Sequence, residues 1–530
     1  MDIALYRLGL TLVLIGLVLS AIGISASSQA GQTLRISRAK DLPTLDPYGL
    51  TDPADLSLLG NVYEGLVKRA PNQRLEPALA ESWTLISSTT WRFTLRRDVK
   101  FHNGAGLDAD DVVFSINRAR QKGSALADRF FSIADVQRLD ARTVQITTKK
   151  PQPYFLRDLS DLYIMDSDWA QIHKGALATI SNGTGPFQTG YRTPEITTQF
   201  LPFKGWWSTA RNDVDEIVFI PIEPDETRVS ALLEGKLDLI QSIPVGAIKT
   251  IRDNSAFKLM QITTPRTVVL GMDQYRANLT ELVNDKPNPF LNPDVREAIA
   301  IAIDSTALVK EALDGNAQVA GNILSPAING WSESFEQPRI AAPSRAKDLL
   351  RKAGYANGFS VPFDCPHLAE DSRGKLCEQI ITMLGDVGIR LTRRNEGNQA
   401  MALRIARFNS PLFLMSFAPP QPHADTVITL LLGTRPEFAE GRTTLPLQGG
   451  LNFGRYSNAR IDDLLPILVG EMDQDLRLKA MTEALRIHRQ EVGYIPLYRP
   501  NITWAARQEV SVYLPGSGGI DLRSVRIEKK

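Results

Sequence analysis

The chain has 530 residues, well beyond the roughly 250–300 residues at which a single hydrophobic core stops growing, so at least two lobes are expected. Its 60 Lys and Arg residues nearly balance its 59 Asp and Glu residues, and a balanced charge creates no field that would concentrate nucleic acid. With 43% hydrophobic and 22% charged residues, the composition is that of a folded globular protein and excludes disordered and fibrous classes.

The N-terminus differs from the rest of the chain in being strongly apolar. Arg7 is followed by an uncharged stretch, Leu8–Ile24, and then by Ser28-Gln29-Ala30, which fits the small-x-small pattern of a signal peptidase site. We expect residues 1–30 to be a signal peptide, with an uncleaved membrane anchor as the alternative. No cysteine lies near the cleavage region to carry a lipid. A free periplasmic protein is therefore expected.

The only two cysteines of the chain are Cys365 and Cys377. In an oxidising compartment a pair this close favours one disulfide over two free thiols. His367 lies two residues after Cys365 and raises the alternative of a metal site. A metal site would need a second ligand cluster, and none is visible in the sequence, so we expect no metal.

Short β-rich segments and amphipathic helices alternate along the chain. Four early segments have strand-like patterns: Thr33–Ser37, Trp91–Leu95, Thr143–Thr147 and Glu216–Ile220. Between them, the acids of Asp108–Asp111 precede an apolar run, which predicts the first turn of a helix because carboxylates complement the positive end of the helix dipole.

The second half of the chain predicts helices that stop at a glycine and lead into strands. One long helix is predicted over Pro293–Leu313. Helices over Ser344–Ala353 and Cys377–Val387 are each followed by a strand, Phe359–Phe363 and Ile389–Thr392 respectively. This series is typical of βαβ units, so the sequence predicts an α/β fold with a largely parallel sheet.

Catalytic motifs are not apparent. The G-x-S-x-G and G-x-x-x-x-G-K-[ST] patterns are absent, and Gly183-Thr184-Gly185 lacks the further glycine of a dinucleotide site. The five histidines are widely spaced: His102, His173, His367, His423 and His488. We therefore expect no enzyme and no cofactor, although a carboxylate pair that meets only in space keeps an exported hydrolase as an alternative.

Several longer blocks follow one another in an order that is typical of one protein family. They are Thr44–Pro47, Asn61–Val67 (a helix in the family), Leu75–Trp83, Trp91–Gly104, Asp108–Arg118, Gly183–Phe187, Val295–Lys310, Asn452–Asp462 and Ile495–Tyr498. Through these blocks the chain resembles the family 5 extracellular solute-binding proteins of ABC importers, which include dipeptide, oligopeptide, nickel and glutathione receptors. The resemblance covers nearly all of the expected mature chain.

The resemblance implies a type II periplasmic-binding-protein fold, with two α/β lobes joined by two crossover strands and an extra subdomain in the first lobe. The expected bounds are 31–268 plus 499–530 for lobe I, about 60–185 for its extra subdomain, 269–498 for lobe II, and 263–270 and 495–504 for the crossovers. The implied function is capture of a peptide or peptide-like solute and its delivery to the membrane permease. A monomer without nucleic-acid partners is expected.

The resemblance also implies which residues line the cleft. We expect Tyr48, Thr51 and Asp52 from the first lobe, and Ser416, Phe417, Ala418 and Asp425 from the second. In the family's peptide receptors an acid after a Gly-Trp strand end pairs with the peptide's amino terminus. Here Phe417 replaces the tryptophan, and Asp425 comes several residues later than that acid.

Four questions therefore stay open at the sequence level. Asp425 is either a ligand group or a helix cap before Thr426, and Tyr48 and Phe417 are either ligand contacts or ordinary packing residues. The solute is either peptide-like or a different molecule, such as an opine, a sugar conjugate or glutathione. A role in presenting bound solute to a membrane sensor has the same sequence requirements as transport.

Overall fold

The computed structural model describes residues 32–528 apart from 71–73, 210–212, 280–286, 369, 372–373, 395, 420, 440, 442 and 517. The expected signal peptide lies outside the described residues. In the part of the chain that is described, every helix is too short or too polar to cross a bilayer.

The strands begin near the start of the described region and end close to the C-terminus. They are Thr33–Arg38, Val67–Arg69, Leu75–Pro77, Ala80–Ser87, Thr90–Leu95, Ile133–Arg138, Thr143–Thr148, Phe187–Thr193, Thr197–Pro202, Glu216–Pro221, Leu239–Gln241, Phe257–Thr263, Thr267–Met272, Ala317–Val319, Phe359–Phe363, Ile389–Arg393, Leu412–Phe417, Ile495–Arg507, Val510–Tyr513 and Asp521–Ile527.

The helices vary from single turns to five turns. The α-helices are Pro53–Leu59, Ala109–Ala119, Ala127–Phe130, Phe155–Leu159, Ser167–Ile172, Asp225–Leu233, Val245–Arg252, Pro293–Ala302, Ser305–Ala307, Pro343–Lys352, Lys375–Asp386, Asn398–Ala406, Ala424–Leu432, Ala459–Gly470 and Gln474–Glu491. A π-helical turn covers Leu308–Ala312, and 3-10 turns cover Pro47–Gly49, Pro289–Leu291, Glu333–Phe335 and Pro436–Phe438.

The long strand Ile495–Arg507, hereafter the shared strand, connects the two halves of the main sheet. Its first part pairs antiparallel with Thr267–Met272 and Ala317–Val319, and its second part pairs with Leu239–Gln241 and Phe257–Thr263. Phe257–Thr263 is followed almost directly by Thr267–Met272, so the chain passes from one half to the other between these two strands. The shared strand passes back between the halves at the same place.

The main sheet is mixed, so the prediction of a largely parallel sheet was wrong for it, whereas the predicted βαβ unit is confirmed by the parallel pairing of Phe359–Phe363 with Ile389–Arg393. On the first-lobe side, Thr33–Arg38 is parallel to both of its neighbours, Glu216–Pro221 and Leu239–Gln241. The shared strand then runs antiparallel to every strand it meets among the described residues. The strands Phe257–Thr263 and Thr267–Met272 lead from the first half to the second, and the shared strand leads back. It therefore runs antiparallel to both of them.

A separate four-stranded antiparallel sheet lies within the region expected to form the extra subdomain. The helix Ala109–Ala119 packs on it through Val112 and Ile116, which are both fully buried. Asp108 caps this helix, and Asp111 reaches back to the backbone N–H of Asp108, which completes a capping box. The predicted helix start is confirmed.

Two predicted helices differ from the structure. The helix from Pro293 ends at Ala302, because Ile303 is extended (φ −90°, ψ 117°) and Asp304 caps a new turn. The family helix expected over Asn61–Val67 is a turn that leads into a strand. There the Asn61 amide donates to the carbonyl of Leu58 at the helix end, and its oxygen accepts from the N–H of Leu522 at 2.8 Å.

The apolar cores divide along the shared strand. Leu497 and Tyr498 belong to a core that contains Val268 and Leu270, whereas Trp504 belongs to a core with the first strand of the chain. Core membership therefore changes within the shared strand. The residue bounds expected for the two lobes remain a prediction.

Cys365 and Cys377 form the predicted disulfide, which ties the segment after Phe359–Phe363 to the helix Lys375–Asp386. The sulfurs are unavailable to a metal in this state. Within the described ranges, no three His, Cys, Asp or Glu side chains are placed to hold a metal ion.

Arg499 anchors the shared strand in the second lobe. Its side chain is fully buried, and its guanidinium donates to both carboxylate oxygens of Glu336, at 3.0 and 2.8 Å, and to the carbonyls of Asn322 and Leu324. A buried cation of this kind depends on its partner, because an unpaired charge in the interior is costly.

Glu336→Ala should lower the free energy of unfolding by about 3 kcal/mol, because it leaves Arg499 buried without its counter-charge. Urea unfolding followed by circular dichroism measures this loss. The matched control is Glu333→Ala on the same turn, where the side chain is exposed and a change below about 0.5 kcal/mol is expected. Equal losses in the two variants would contradict the assigned role of Glu336.

Candidate ligand-binding site

Away from the shared strand, the two lobes meet through a polar group that we call the interlobe cluster: Tyr154 and Asp158 from the first-lobe side, and His423, Asp425 and Arg477 from the second. The rings of Tyr154 and His423 stack at a centroid distance of 4.6 Å and an interplanar angle of 16°. The Arg477 guanidinium lies 5.4 Å from the centroid of the Tyr154 ring. His423 Nε2 is 3.6 Å from Asp158 Oδ1.

Regular elements hold both sides of the cluster. Tyr154 is the residue before the helix Phe155–Leu159, which contains Asp158. His423 is the residue before the helix Ala424–Leu432 and forms a parallel bridge with Asn329. These side chains therefore sit at helix starts that face each other across the lobes.

Several buried polar atoms of the cluster have no hydrogen-bond partner among the described residues. They are both ring nitrogens of His423, Oδ1 of Asp425 and Oγ1 of the neighbouring Thr429. The three residues are only 4, 8 and 5% exposed. Asp425 and Thr429 are four residues apart and share one helix face. Each unsatisfied buried group costs about 1–3 kcal/mol, so the second-lobe side of the cluster presents unused hydrogen-bonding capacity.

Burial also changes the ionisation of the cluster. It raises the pKa of Asp425 to about 6, and the nearby Asp158 adds to this rise whereas His423 opposes it. Burial raises the pKa of Tyr154 to about 12, with a further contribution from Asp425. A carboxylate held in this way would be stabilised by any cation or donor that reached it.

The first-lobe residues that the sequence predicts lie apart from this cluster. Tyr48 is 3% exposed, and its hydroxyl donates to the Tyr163 carbonyl at 2.6 Å. The Arg118 guanidinium, itself paired with Asp46, lies 4.9 Å from the centroid of the Tyr48 ring. The geometry of Tyr48 is that of the packing alternative.

Thr51 and Asp52 are exposed at the start of the helix Pro53–Leu59. The Asp52 carboxylate accepts hydrogen bonds from the backbone N–H groups of Ala54 and Asp55, at 2.8 and 3.1 Å. Asp52 is thus a helix cap whose side chain remains accessible to solvent. Its proposed contact with ligand stays a prediction.

The second-lobe residues Ser416, Phe417 and Ala418 lie at the end of the strand Leu412–Phe417. Phe417 is 5% exposed and packs in the core, whereas Ser416 is half-buried and Ala418 is exposed. Asp425 is not the helix cap that the sequence alternative describes, because His423 occupies the cap position and Asp425 lies in the first turn.

A second set of polar side chains, which we call the polar row, comprises Ser416, which the sequence predicts, and three residues that sequence reasoning missed: Arg266, Tyr498 and Glu370. Val268 pairs with Ser416 on one side and with Tyr498 on the other. The side chains of Val268, Ser416 and Tyr498 therefore lie on the same face of the sheet. Arg266 Nη1 donates to Ser416 Oγ at 3.4 Å, and the Tyr498 hydroxyl donates to Glu370 Oε1 at 3.1 Å.

Little in the sequence could have identified these residues. Arg266 lies within the segment predicted as a crossover, and Tyr498 within a family block, but neither position predicts a side-chain role. Tyr154 carries no motif, and His423 is one of five scattered histidines. Only pairing across strands and lobes brings them together.

Known proteins resemble the chain over most of its length. The glutathione-binding protein GsiB of Salmonella paratyphi A is 27% identical over 499 residues, which cover 90% of this chain and 92% of GsiB. The solved structure of the murein tripeptide binding protein MppA, in an unliganded open form, matches with a TM-score of 0.79 and 19% identity over 94% of this chain and 98% of MppA.

The periplasmic binding protein DppA from Helicobacter pylori, solved with the peptide STSA, matches with a TM-score of 0.66 and 23% identity, over 95% of this chain and 100% of DppA. These likenesses establish the type II periplasmic-binding-protein fold. The model of the bacterial extracellular solute-binding proteins, family 5, matches residues 74–438. The chain therefore belongs to family 5 of the bacterial extracellular solute-binding proteins.

Proposed function

We propose that the protein is the periplasmic substrate-binding component of an ABC importer, which captures a peptide or peptide-like solute between its lobes and delivers it to the permease. The observation that carries the proposal is the set of unsatisfied polar atoms at the interlobe cluster, on His423, Asp425 and Thr429. Most buried polar groups in proteins have a hydrogen-bond partner, so these atoms are candidates for contact with a ligand. A ligand that enters between the lobes supplies the missing partners.

The mechanism follows from differential affinity. A solute that contacts only one lobe binds the open and closed forms with equal affinity, so it does not shift the equilibrium between them. A solute that pairs with groups of both lobes, Asp425 among them, gains its full set of contacts only when the lobes close around it. Its binding energy therefore stabilises the closed form, which the permease recognises.

Asp425 supports a solute that carries an amine. Its buried carboxylate has one unpartnered oxygen and a pKa raised to about 6. An ammonium group would satisfy that oxygen and offset the cost of burying the charge. This assignment extends to Asp425 the role of the family's amino-terminal acid, despite its later position in the chain.

Non-peptide solutes are the second candidate class. GsiB is named for glutathione, which is itself a peptide-like molecule, and an opine or a sugar conjugate would use the same donors and acceptors. The exported hydrolase is less well supported. Asp158 and Asp425 approach each other, but Asp158 is already engaged with Arg129, at 3.4 Å.

The organisation expected from the sequence completes the proposal. Lobe I would comprise 31–268 and 499–530 with an extra subdomain at about 60–185, and lobe II would comprise 269–498. The protein would act as a monomer in the periplasm after removal of residues 1–30, and the disulfide is consistent with an oxidising compartment. No cofactor is proposed.

Addition of its solute should raise the melting temperature of the purified protein by mass action, because only the folded form binds. We would follow thermal unfolding with glutathione, the tetrapeptide Ser-Thr-Ser-Ala, octopine and maltose, each at millimolar concentration. At 100-fold excess over Kd the expected stabilisation is about 2.7 kcal/mol. Unchanged melting with every compound, together with no co-purified molecule in native mass spectrometry, would count against the receptor.

Asp425→Asn should stabilise the ligand-free protein at pH 8 by roughly 1–3 kcal/mol. A carboxyl whose pKa rises from 3.8 to about 6 on folding binds more protons in the folded state, so stability falls as pH rises through that window. The variant lacks this charge, so its advantage should vanish near pH 4. Thermal melts at both pH values measure it.

The matched control for this variant is Asp52→Asn, which alters an exposed carboxylate and leaves a residue that still caps a helix. Its melting temperature should follow that of the native protein at both pH values. Asp425→Asn should also bind Ser-Thr-Ser-Ala more weakly. A stability gain that persists unchanged at pH 4 would refute the ionisation assigned to Asp425.

A further inference from the structure

We infer that Arg266 binds an anionic group of the solute, so that the natural solute carries a carboxylate or a comparably compact anion. This inference rests on the proposed receptor function and adds the chemical class of its solute. It is carried by the position of Arg266 between the lobes and by the partners that its guanidinium does and does not have.

Arg266 lies in the short connection between Phe257–Thr263 and Thr267–Met272, where the chain passes from one lobe to the other. Thr264, two residues before Arg266, is held in place by two hydrogen bonds. Its hydroxyl donates to the Pro500 carbonyl at 3.1 Å, and its carbonyl accepts from Ser325 Oγ at 2.5 Å. The backbone beside Arg266 is therefore held by the shared strand and by Ser325, while the Arg266 side chain is exposed.

The polar row provides one charge that is already engaged and one that is not. At one end, Glu370 accepts a hydrogen bond from Tyr498. At the other end, the Arg266 guanidinium donates to the neutral Ser416 hydroxyl over a long distance of 3.4 Å, and no described carboxylate lies within ion-pair distance of it. Ser416 was predicted from sequence as a ligand contact, so the row includes an expected site residue.

A guanidinium in this position gains most from an anion when the lobes close. Five N–H donors in a planar fork match a carboxylate in two parallel hydrogen bonds. Closure removes water from the region beside the crossovers, and the same ion pair is stronger in a less polar medium. With Asp425 available to a cation at the interlobe cluster, the cleft would favour a solute that has both charges.

The test compares native protein, Arg266→Gln and a matched control, Arg407→Gln. Arg407 is also exposed on the second lobe, but it lies near the opposite end of the strand Leu412–Phe417 from Ser416. Calorimetry would measure Kd for glutathione, octopine, maltose and Ser-Thr-Ser-Ala, the last as the free acid and as its C-terminal amide. Both variants should keep the native circular dichroism spectrum.

The expected result is that Arg266→Gln weakens acid-bearing probes about 10- to 100-fold, the range typical of one hydrogen bond to a charged group. Arg407→Gln should bind as the native protein does. If Ser-Thr-Ser-Ala binds, its C-terminal amide should bind the native protein more weakly than the free acid does. Arg266→Gln should bind the amide and the free acid with the same Kd. A loss common to both arginine variants would contradict the inference.

Two further outcomes separate this inference from the function on which it rests. Binding of maltose alone, or binding of an acid with the same Kd in native protein and Arg266→Gln, would overturn the role of Arg266 and leave a solute receptor in place. No binding of any probe, with no co-purified molecule, would remove the receptor function and the inference together.

Discussion

The structure depends on one constraint: a single strand, Ile495–Arg507, satisfies its backbone hydrogen bonds in two different lobes. Its first part pairs with Thr267–Met272 and its second part with Phe257–Thr263. Backbone groups in a buried sheet must be paired, so neither lobe can complete its sheet without the shared strand. The lobes are thereby kept as neighbours, and within the described part of the chain two connections, near Arg266 and Pro500, join them.

Among the described residues, buried polar atoms without a partner occur inside the lobes, as at Tyr63 and Trp504, as well as at the interlobe cluster. Within each lobe, buried charges are paired, as Arg499 is with Glu336 and Arg192 is with Asp41. Between the lobes, Asp425 is buried with an unpartnered oxygen. A folded protein tolerates such a cost where function requires it. A receptor requires it, because groups that already pair within the protein have nothing left to recognise a solute.

The fold was largely predictable from the sequence, because local patterns specify local elements. Phe359–Phe363 was predicted with its observed bounds, and the cap at Asp108 follows from acids ahead of an apolar run. The break at Ile303 was missed because the apolar spacing continues across it, although Asp304 followed by Ser305 is a cap pattern. The interlobe cluster was not predictable, since Tyr154 and His423 are far apart in the chain and meet only through tertiary structure.

The most direct measurement is the distance between the lobes in solution. Spin labels at Lys249→Cys on the first lobe and Lys352→Cys on the second, both exposed positions, would report it by double electron–electron resonance. When the protein is saturated with a panel compound that raises its melting temperature, the distance distribution should be shorter and narrower than without the compound. An identical distribution in the two samples would contradict closure around a bound solute.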